Sequence, residues 1–291
     1  MANYNIISFD GGGIKGLLSV ILMQRLEREV PGILQKTALF AGTSTGGIIA
    51  LGLAGGMDLC KLRELYEKKA NEIFVRRWQK YFGLTGARYK NEGLKDSLDD
   101  IFGLQTLGML QKKVLIPTFD LKSDDQPYRW KPKFFHNYTP DNCGEFVARV
   151  AARTSSAPTY FKATDGYIDG GVAANNPTMC AVSQAINYGA KGIEEIRCLS
   201  IGTGVTYRYL DGLNYDFGGL EIGKLVEILI GGVEDVVDYQ CKAVLGQKYT
   251  RLNPIDKKNT GLDDLDAIPW LAELGGTWPI DGTVAWLKAN W

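Results

Sequence analysis

A serine with a glycine two residues to either side is the first place in this chain where spacing itself suggests chemistry. Gly42-Thr43-Ser44-Thr45-Gly46 follows a strand-like run at residues 37–41 and precedes an apolar, small-residue stretch with helical character at residues 47–54. On a sharp strand-to-helix turn a serine hydroxyl stands above the sheet, where a carbonyl can reach it, and flanking glycines let neighbouring backbone come close. The following helix aims its N-terminus at any negative charge that develops there. The plainer reading of the same residues is a helix cap, with Thr43 or Ser44 accepting the first free amides.

A second turn, Asp10-Gly11-Gly12-Gly13-Ile14-Lys15-Gly16, follows the strand-like residues 4–9 and opens an apolar helix at residues 17–28. Successive glycines can turn their N–H groups into a concavity that suits a phosphate or the oxyanion of a tetrahedral intermediate. Gly11, Gly13 and Gly16 also spell G-x-G-x-x-G, the dinucleotide fingerprint. That reading expects a strand ending in an acidic residue roughly 20 residues on. Here the chain runs through Glu27, Glu29, Pro31 and Gly32 into the strand that ends at Ser44, so the nucleotide reading lacks its second anchor.

A third segment reads Tyr167-Ile168-Asp169-Gly170-Gly171, with Asn175-Asn176-Pro177 at the mouth of a further helical stretch. An aspartate before two glycines at a strand end projects into open space; the ordinary alternative is an Asp-Gly turn. A serine nucleophile needs a base, and the chain has a single histidine, His136. It lies between Phe135 and Asn137 with no acidic neighbour to orient it, although triads assemble from distant segments. The residues therefore predict a structural or surface role for His136 and make Asp169 the candidate base.

In this order, D-G-G-G-I-K-G at residues 10–16, G-T-S-T-G at 42–46 and D-G-G at 169–171 resemble the patatin-like phospholipases. Further echoes are A-R-T-S-S-A-P-T-Y-F at 152–161, the Asn175-Asn176-Pro177 turn and S-I-G-T-G at 200–204. The resemblance covers about residues 4–205 and is loose beyond about residue 210. It implies a Ser–Asp dyad that hydrolyses acyl esters of lipids with no cofactor and no metal. Carried over, Ser44 is the nucleophile, Asp169 the base, and the amides of Gly11, Gly12 and Gly13 the oxyanion hole. The family tends to carry a basic residue where Lys15 stands, commonly arginine. Lysine keeps the charge but gives up the planar two-point contact, which leaves Lys15 as a candidate phosphate contact.

Such a dyad needs its carboxylate adjusted. A normal carboxylate is a feeble base at neutral pH, and partial desolvation in an apolar cleft raises its pKa toward the working range. The oxyanion hole supplies the larger contribution, with one donor worth on the order of 3 kcal/mol.

At 291 residues with no linker-like composition, repeat or low-complexity run, the chain reads as one domain over 1–291, residues 206–291 completing it mostly with helices. Composition is 45% hydrophobic and 23% charged with zero formal net charge, which gives ample core and no case for nucleic acid. Five widely spaced cysteines without C-x-x-C, beside one histidine, argue against zinc and fit a reduced, cytoplasmic compartment. No signal peptide is legible, and the longest mainly apolar run, residues 48–57, is too short to span a bilayer. Oligomeric state is not legible.

The coarse order is strand 4–9, helix 16–30, strand 37–42, helix 46–56, helix 58–73, an amphipathic helix presenting Leu94, Leu98, Ile101 and Phe102, and strands 113–120 and 130–136. Helix 145–154, strand 166–169, helix 177–187 and strand 196–201 complete it, with Pro117 marking an edge or irregularity. Alternation of this kind predicts a three-layer α/β/α fold on a mainly parallel sheet, with ligands beyond the strands' carboxyl ends, where all three segments lie. Residues 61–95 hold ten Lys/Arg against four Asp/Glu. Within residues 74–90, Phe74, Trp78, Tyr81 and Phe82 recur near helical spacing beside Arg76, Arg77 and Lys80. That pattern fits a membrane-lipid contact or, preferably, a helix packing its aromatics on the core. Asp263, Asp264 and Asp266 lack calcium-loop spacing and read as a solvated helix start. Two rival functions stand beside the lipid hydrolase: a storage or lipid-binding protein with residual esterase activity, and a nucleotide binder using residues 11–16.

Overall fold

The computed structural model describes residues 3–75, 86–122, 129–190, 192–206 and 222–291. Among these, the strands are β1 (Tyr4–Phe9), β2 (Leu39–Gly42), β3 (Lys113–Asp120), β4 (Lys131–His136), β5 (Tyr167–Asp169), β6 (Ile196–Ile201) and β7 (Tyr249–Leu252). The helices are α1 (Gly16–Glu29), α2 (Ile33–Lys36), α3 (Thr45–Ala54), α4 (Leu59–Lys68), α5 (Ala70–Ile73) and α6 (Asn91–Phe102). They continue with α7 (Val147–Thr154), α8 (Gly171–Ala174), α9 (Thr178–Tyr188), α10 (Ile222–Leu245), α11 (Ile268–Thr277) and α12 (Asp281–Asn290).

The sheet runs β4-β3-β2-β1-β6-β7, with β5 paired to β3. β1 pairs in parallel with β2 and β6, as do β2 with β3 and β6 with β7; β4 and β5 run antiparallel to β3. The expected mainly parallel α/β sheet is what the chain forms. Parallel strands covered on both faces read as continuous apolar runs, and β1 accordingly is buried from Asn5 to Phe9. One core cluster joins α1, α3, α4, α6 and α7 to one face; a smaller one, with Ala181, Val182, Cys198 and Cys241, covers the other. Each fully buried aliphatic side chain there, such as Leu17 or Ile49, stabilises by about 1.5–3 kcal/mol.

Pro117 sits inside β3, paired with Phe134 of β4. On the other side β2 reaches only Leu115 and β5 begins at Thr118, so Pro117 falls in the gap where no partner wants its missing N–H. α3 is buried at every residue, so it needs no polar face. The run expected as one helix at 58–73 is two, parted at Lys69. The segment expected to be mostly helical also contributes β7, which extends the sheet beside β6.

Candidate active site

β2 delivers the chain to Ser44, and α3 begins at the next residue. Ser44 has φ 55° and ψ −122°, a left-handed conformation that costs a non-glycine residue about 1–3 kcal/mol. The glycines around it answer a packing demand. A Cβ on Gly42 would lie 1.9 Å from the Gly46 carbonyl oxygen, and one on Gly46 would lie 2.3 Å from that of Phe9. The turn is held by α7: the Ser44 N–H donates to Thr154 Oγ1 at 3.0 Å, and the Thr154 hydroxyl donates to the Pro117 carbonyl at 2.6 Å. The capping reading of Ser44 does not apply, since its side chain makes no bond to the helix amides.

β5 brings Asp169 to the same place. Its backbone N–H donates to Ser156, and its Oδ1 accepts the Gly171 N–H at 2.7 Å. Ser44 lies close enough to the Asp169 carboxylate to act on it, pulling its pKa down. Burial pushes this carboxyl up to about 6, against the Gly171 N–H and Ser44, which pull it down. His136 ends β4 elsewhere, edge-on to Tyr138 and tilted against Tyr188 with ring centroids 6.0 Å away in each case. Burial first, and then Lys133, lower its pKa, and its Nδ1 accepts the Tyr138 N–H at 3.4 Å.

The glycine turn lies opposite. Here the structure corrects the sequence reading of Gly11: its N–H donates to the Asn175 carbonyl at 3.1 Å and is not available to an oxyanion. Gly11 serves instead as the anchored start of the turn, its carbonyl accepting from Thr203 Oγ1 at 2.9 Å. The Ile14 and Lys15 amides are also engaged, with Leu262 and Gly12. Among the described residues the Gly12 and Gly13 amides have no acceptor. Gly13 adopts φ 58°, and a Cβ there would lie 2.2 Å from the Leu262 carbonyl; a Cβ on Gly12 would lie 2.3 Å from Thr203 Oγ1. Lys15, half-buried, lines the same cleft, and its charge lowers the pKa of Asp10 and Glu234.

These groups form the polar end of a cleft of about 540 Å³. Its other wall is apolar, built from Ile48 of α3, Leu65 and Tyr66 of α4, Ile73 of α5, Phe74 and Phe161. Phe74 packs on Tyr89 and Phe161 with centroids 5.3 and 6.0 Å away, a place in the core and on the cleft wall. Trp78, Tyr81, Phe82, Arg76, Arg77 and Lys80 lie outside the described residues. Asp263 departs from the solvated reading: it accepts from the Arg88 guanidinium and the Tyr89 hydroxyl, tying the loop that carries Leu262 to the cleft rim. Sequence reasoning also missed Arg251 and Glu234. Arg251 sits on β7, a strand it did not read, and Glu234 is one acidic residue among several on a helix it left unplaced. Among the described residues no three His, Cys, Asp or Glu side chains are grouped to hold a metal, and no helix is long and apolar enough to cross a membrane.

Comparison with known proteins gives the family. The family model for patatin-like phospholipases matches residues 7–182. A cGAMP-activated phospholipase of Pseudomonas aeruginosa is 30% identical over 263 residues, 86% of this chain and 78% of that one. Patatin-like protein 2 of Arabidopsis thaliana is 31% identical over 314 residues, covering 86% and 74%. The sporulation hydrolase CotR of Bacillus subtilis is 33% identical over 212 residues, and the chain spans only 64% of that relative's length. By its matched segments and its sheet, the chain belongs to the patatin-like phospholipases, a family of carboxylic ester hydrolases.

Proposed function

We propose that this protein is a lipid acyl hydrolase that cleaves carboxylic esters of phospholipids or galactolipids through Ser44 and Asp169. One observation carries the reading: a strained serine lines one cleft with a buried carboxylate whose pKa is raised to about 6 and on which the serine acts, beside two amides with no acceptor among the described residues. The apolar wall suits an acyl chain whose ester carbonyl would then reach the polar end.

Ser44 Oγ attacks the ester carbonyl carbon as its proton passes to Asp169. The carbonyl oxygen becomes an oxyanion, for which the Gly12 and Gly13 amides are the available donors. Collapse breaks the ester C–O bond; Asp169 returns the proton to the leaving lyso-lipid oxygen, and Ser44 carries the acyl group. A water then gives its proton to Asp169 and attacks the acyl carbon; the bond to Ser44 Oγ breaks, Asp169 returns the proton to that oxygen, and the fatty acid leaves. A base near 6 is ionised at neutral pH yet stronger than an ordinary carboxylate, which is the compromise such a step requires. Lys15, on the cleft wall, is the candidate partner for a headgroup phosphate, and residues 74–90 are the candidate contact with the membrane surface. All five cysteines are free, which suits a reducing compartment such as the cytoplasm.

Lipid analysis of mixed phospholipid and galactolipid vesicles treated with wild type and Ser44→Ala tests this. Free fatty acid and lyso-lipid should appear only with the wild type. Equal release by the variant would end the reading.

A further inference from the structure

A ring of contacts closes beneath the glycine turn. Asp10, fully buried, accepts from Arg251 Nη2 at 2.6 Å, and the same nitrogen reaches the Glu234 carboxylate at 3.7 Å. Glu234 accepts from the side-chain amide of Asn175. That Asn175 Nδ2 also donates to the Gly11 carbonyl at 3.3 Å, while the Asn175 main-chain carbonyl takes the Gly11 N–H at 3.1 Å. Gly11 follows Asp10, so the ring returns to its start. Asn175 therefore clamps both polar atoms of the residue preceding Gly12 and Gly13. Its free side-chain end is held by α10, which lies outside the residues matched by the family model.

We propose that Glu234 is a positioning residue of the oxyanion cradle: it holds Asn175 on Gly11, so aiming the Gly12 and Gly13 amides, and the cradle is weakened when Glu234 ionises. The inference rests on the reading of Ser44, Asp169 and the cradle given above. Its geometric part follows from the clamp, because a donor that drifts from the developing charge loses its stabilisation. Its electrostatic part follows from the count of charges. Arg251 is a single cation between two carboxylates, with Lys15 the other cation acting on both and Asp238 a further anion acting on Asp10. Burial first, and then the charge of Asp10, push Glu234 up to about 7, against Arg251, the Asn175 bond and Lys15. That rise brings the exchange of its proton toward neutral pH. An added negative charge beside amides that must receive an oxyanion raises the barrier.

The test is hydrolysis of a soluble short-chain ester by the full chain from about pH 5.5 to about pH 9, read as kcat and KM separately. Glu234→Ala removes the acceptor and the charge; Glu234→Gln keeps an acceptor for Asn175 and cannot ionise. Glu234→Ala should lower kcat at least about tenfold while KM stays within about threefold. Glu234→Gln should recover most of that kcat and lose the alkaline decline of the wild type. In an Asn175→Ala background at about pH 5.5, where Glu234 holds its proton, Glu234→Ala should change kcat by less than about twofold, since the clamp acts through Asn175. Wild-type kcat in Glu234→Ala overturns the proposal. So does a pair of variants that lose activity only in step with their melting temperatures and keep the wild-type pH profile. Should Glu234→Ala not fold, an unchanged alkaline limb in Glu234→Gln decides against it alone. Ser44→Ala, run in parallel, separates the two readings: turnover there refutes the dyad, whereas a dead Ser44→Ala beside a fully active Glu234→Ala refutes only the positioning role.

Discussion

Asp169→Asn is expected to trade activity for stability, and the size of the trade follows from burial. The carboxyl rises from an ordinary 3.8 to about 6 in the folded chain. Its folded pKa is raised, so the native state holds the proton more tightly than the unfolded one. The linkage cost is absent below about pH 4, grows as the unfolded carboxyl ionises, and is complete above about pH 6. At about 1.36 kcal/mol per unit of pKa, a rise from 3.8 to about 6 amounts to about 3 kcal/mol. Asparagine has nearly the same shape, its amide oxygen can keep the Gly171 N–H, and its NH₂ can donate to Ser44 Oγ. The variant should therefore be nearly inactive yet more stable than wild type at pH 8 by up to about 3 kcal/mol, a gain in melting temperature on the order of 5 °C. At pH 4 the gain should vanish. Thermal unfolding of both proteins across that range, beside ester hydrolysis, measures it. A gain independent of pH, or a variant less stable at pH 8, would refute the burial account; substantial turnover would refute the base.

Other outcomes follow from single contacts. The acid limb of kcat/KM should fall near pH 6 with Asp169, and His136→Ala should keep both the limb and most of the rate, because His136 packs among tyrosines away from the cleft. Ser44→Gly and Ser44→Ala should both be inactive, but glycine should be the more stable by about 1 kcal/mol in denaturant titration, since φ 55° strains alanine and not glycine. Gly12→Ala should abolish turnover by driving its Cβ into Thr203, and Thr203→Gly in the same chain should restore part of it. Thr154→Val should cost about 2–4 kcal/mol in denaturant titration and lower kcat, because it strands the buried Ser44 N–H and Pro117 carbonyl together.

The chain by itself determined the parts whose chemistry is local. Glycines at 42 and 46 must let backbones touch, a strand must end where Ser44 turns, and alternating apolar runs must cover a parallel sheet; residue type and spacing carry all of this. The plausibility of Asp169 as base followed from there being one histidine in poor context. Tertiary structure decided the rest, because it depends on which distant groups meet. Gly11 looks like its two neighbours in sequence, yet the Asn175 carbonyl takes its amide, whereas those of Gly12 and Gly13 have no acceptor among the described residues. Asp263 reads as a solvated acid until Arg88 and Tyr89 arrive from the far side of the cleft. Arg251 and Glu234 acquire meaning only once β7 joins the sheet edge and α10 crosses the site, bringing one cation between the buried Asp10 and the half-buried Glu234. Local spacing constrains the backbone a residue needs; it does not say which buried charge or carbonyl will stand opposite, since that is set by the packing of segments far apart in the chain.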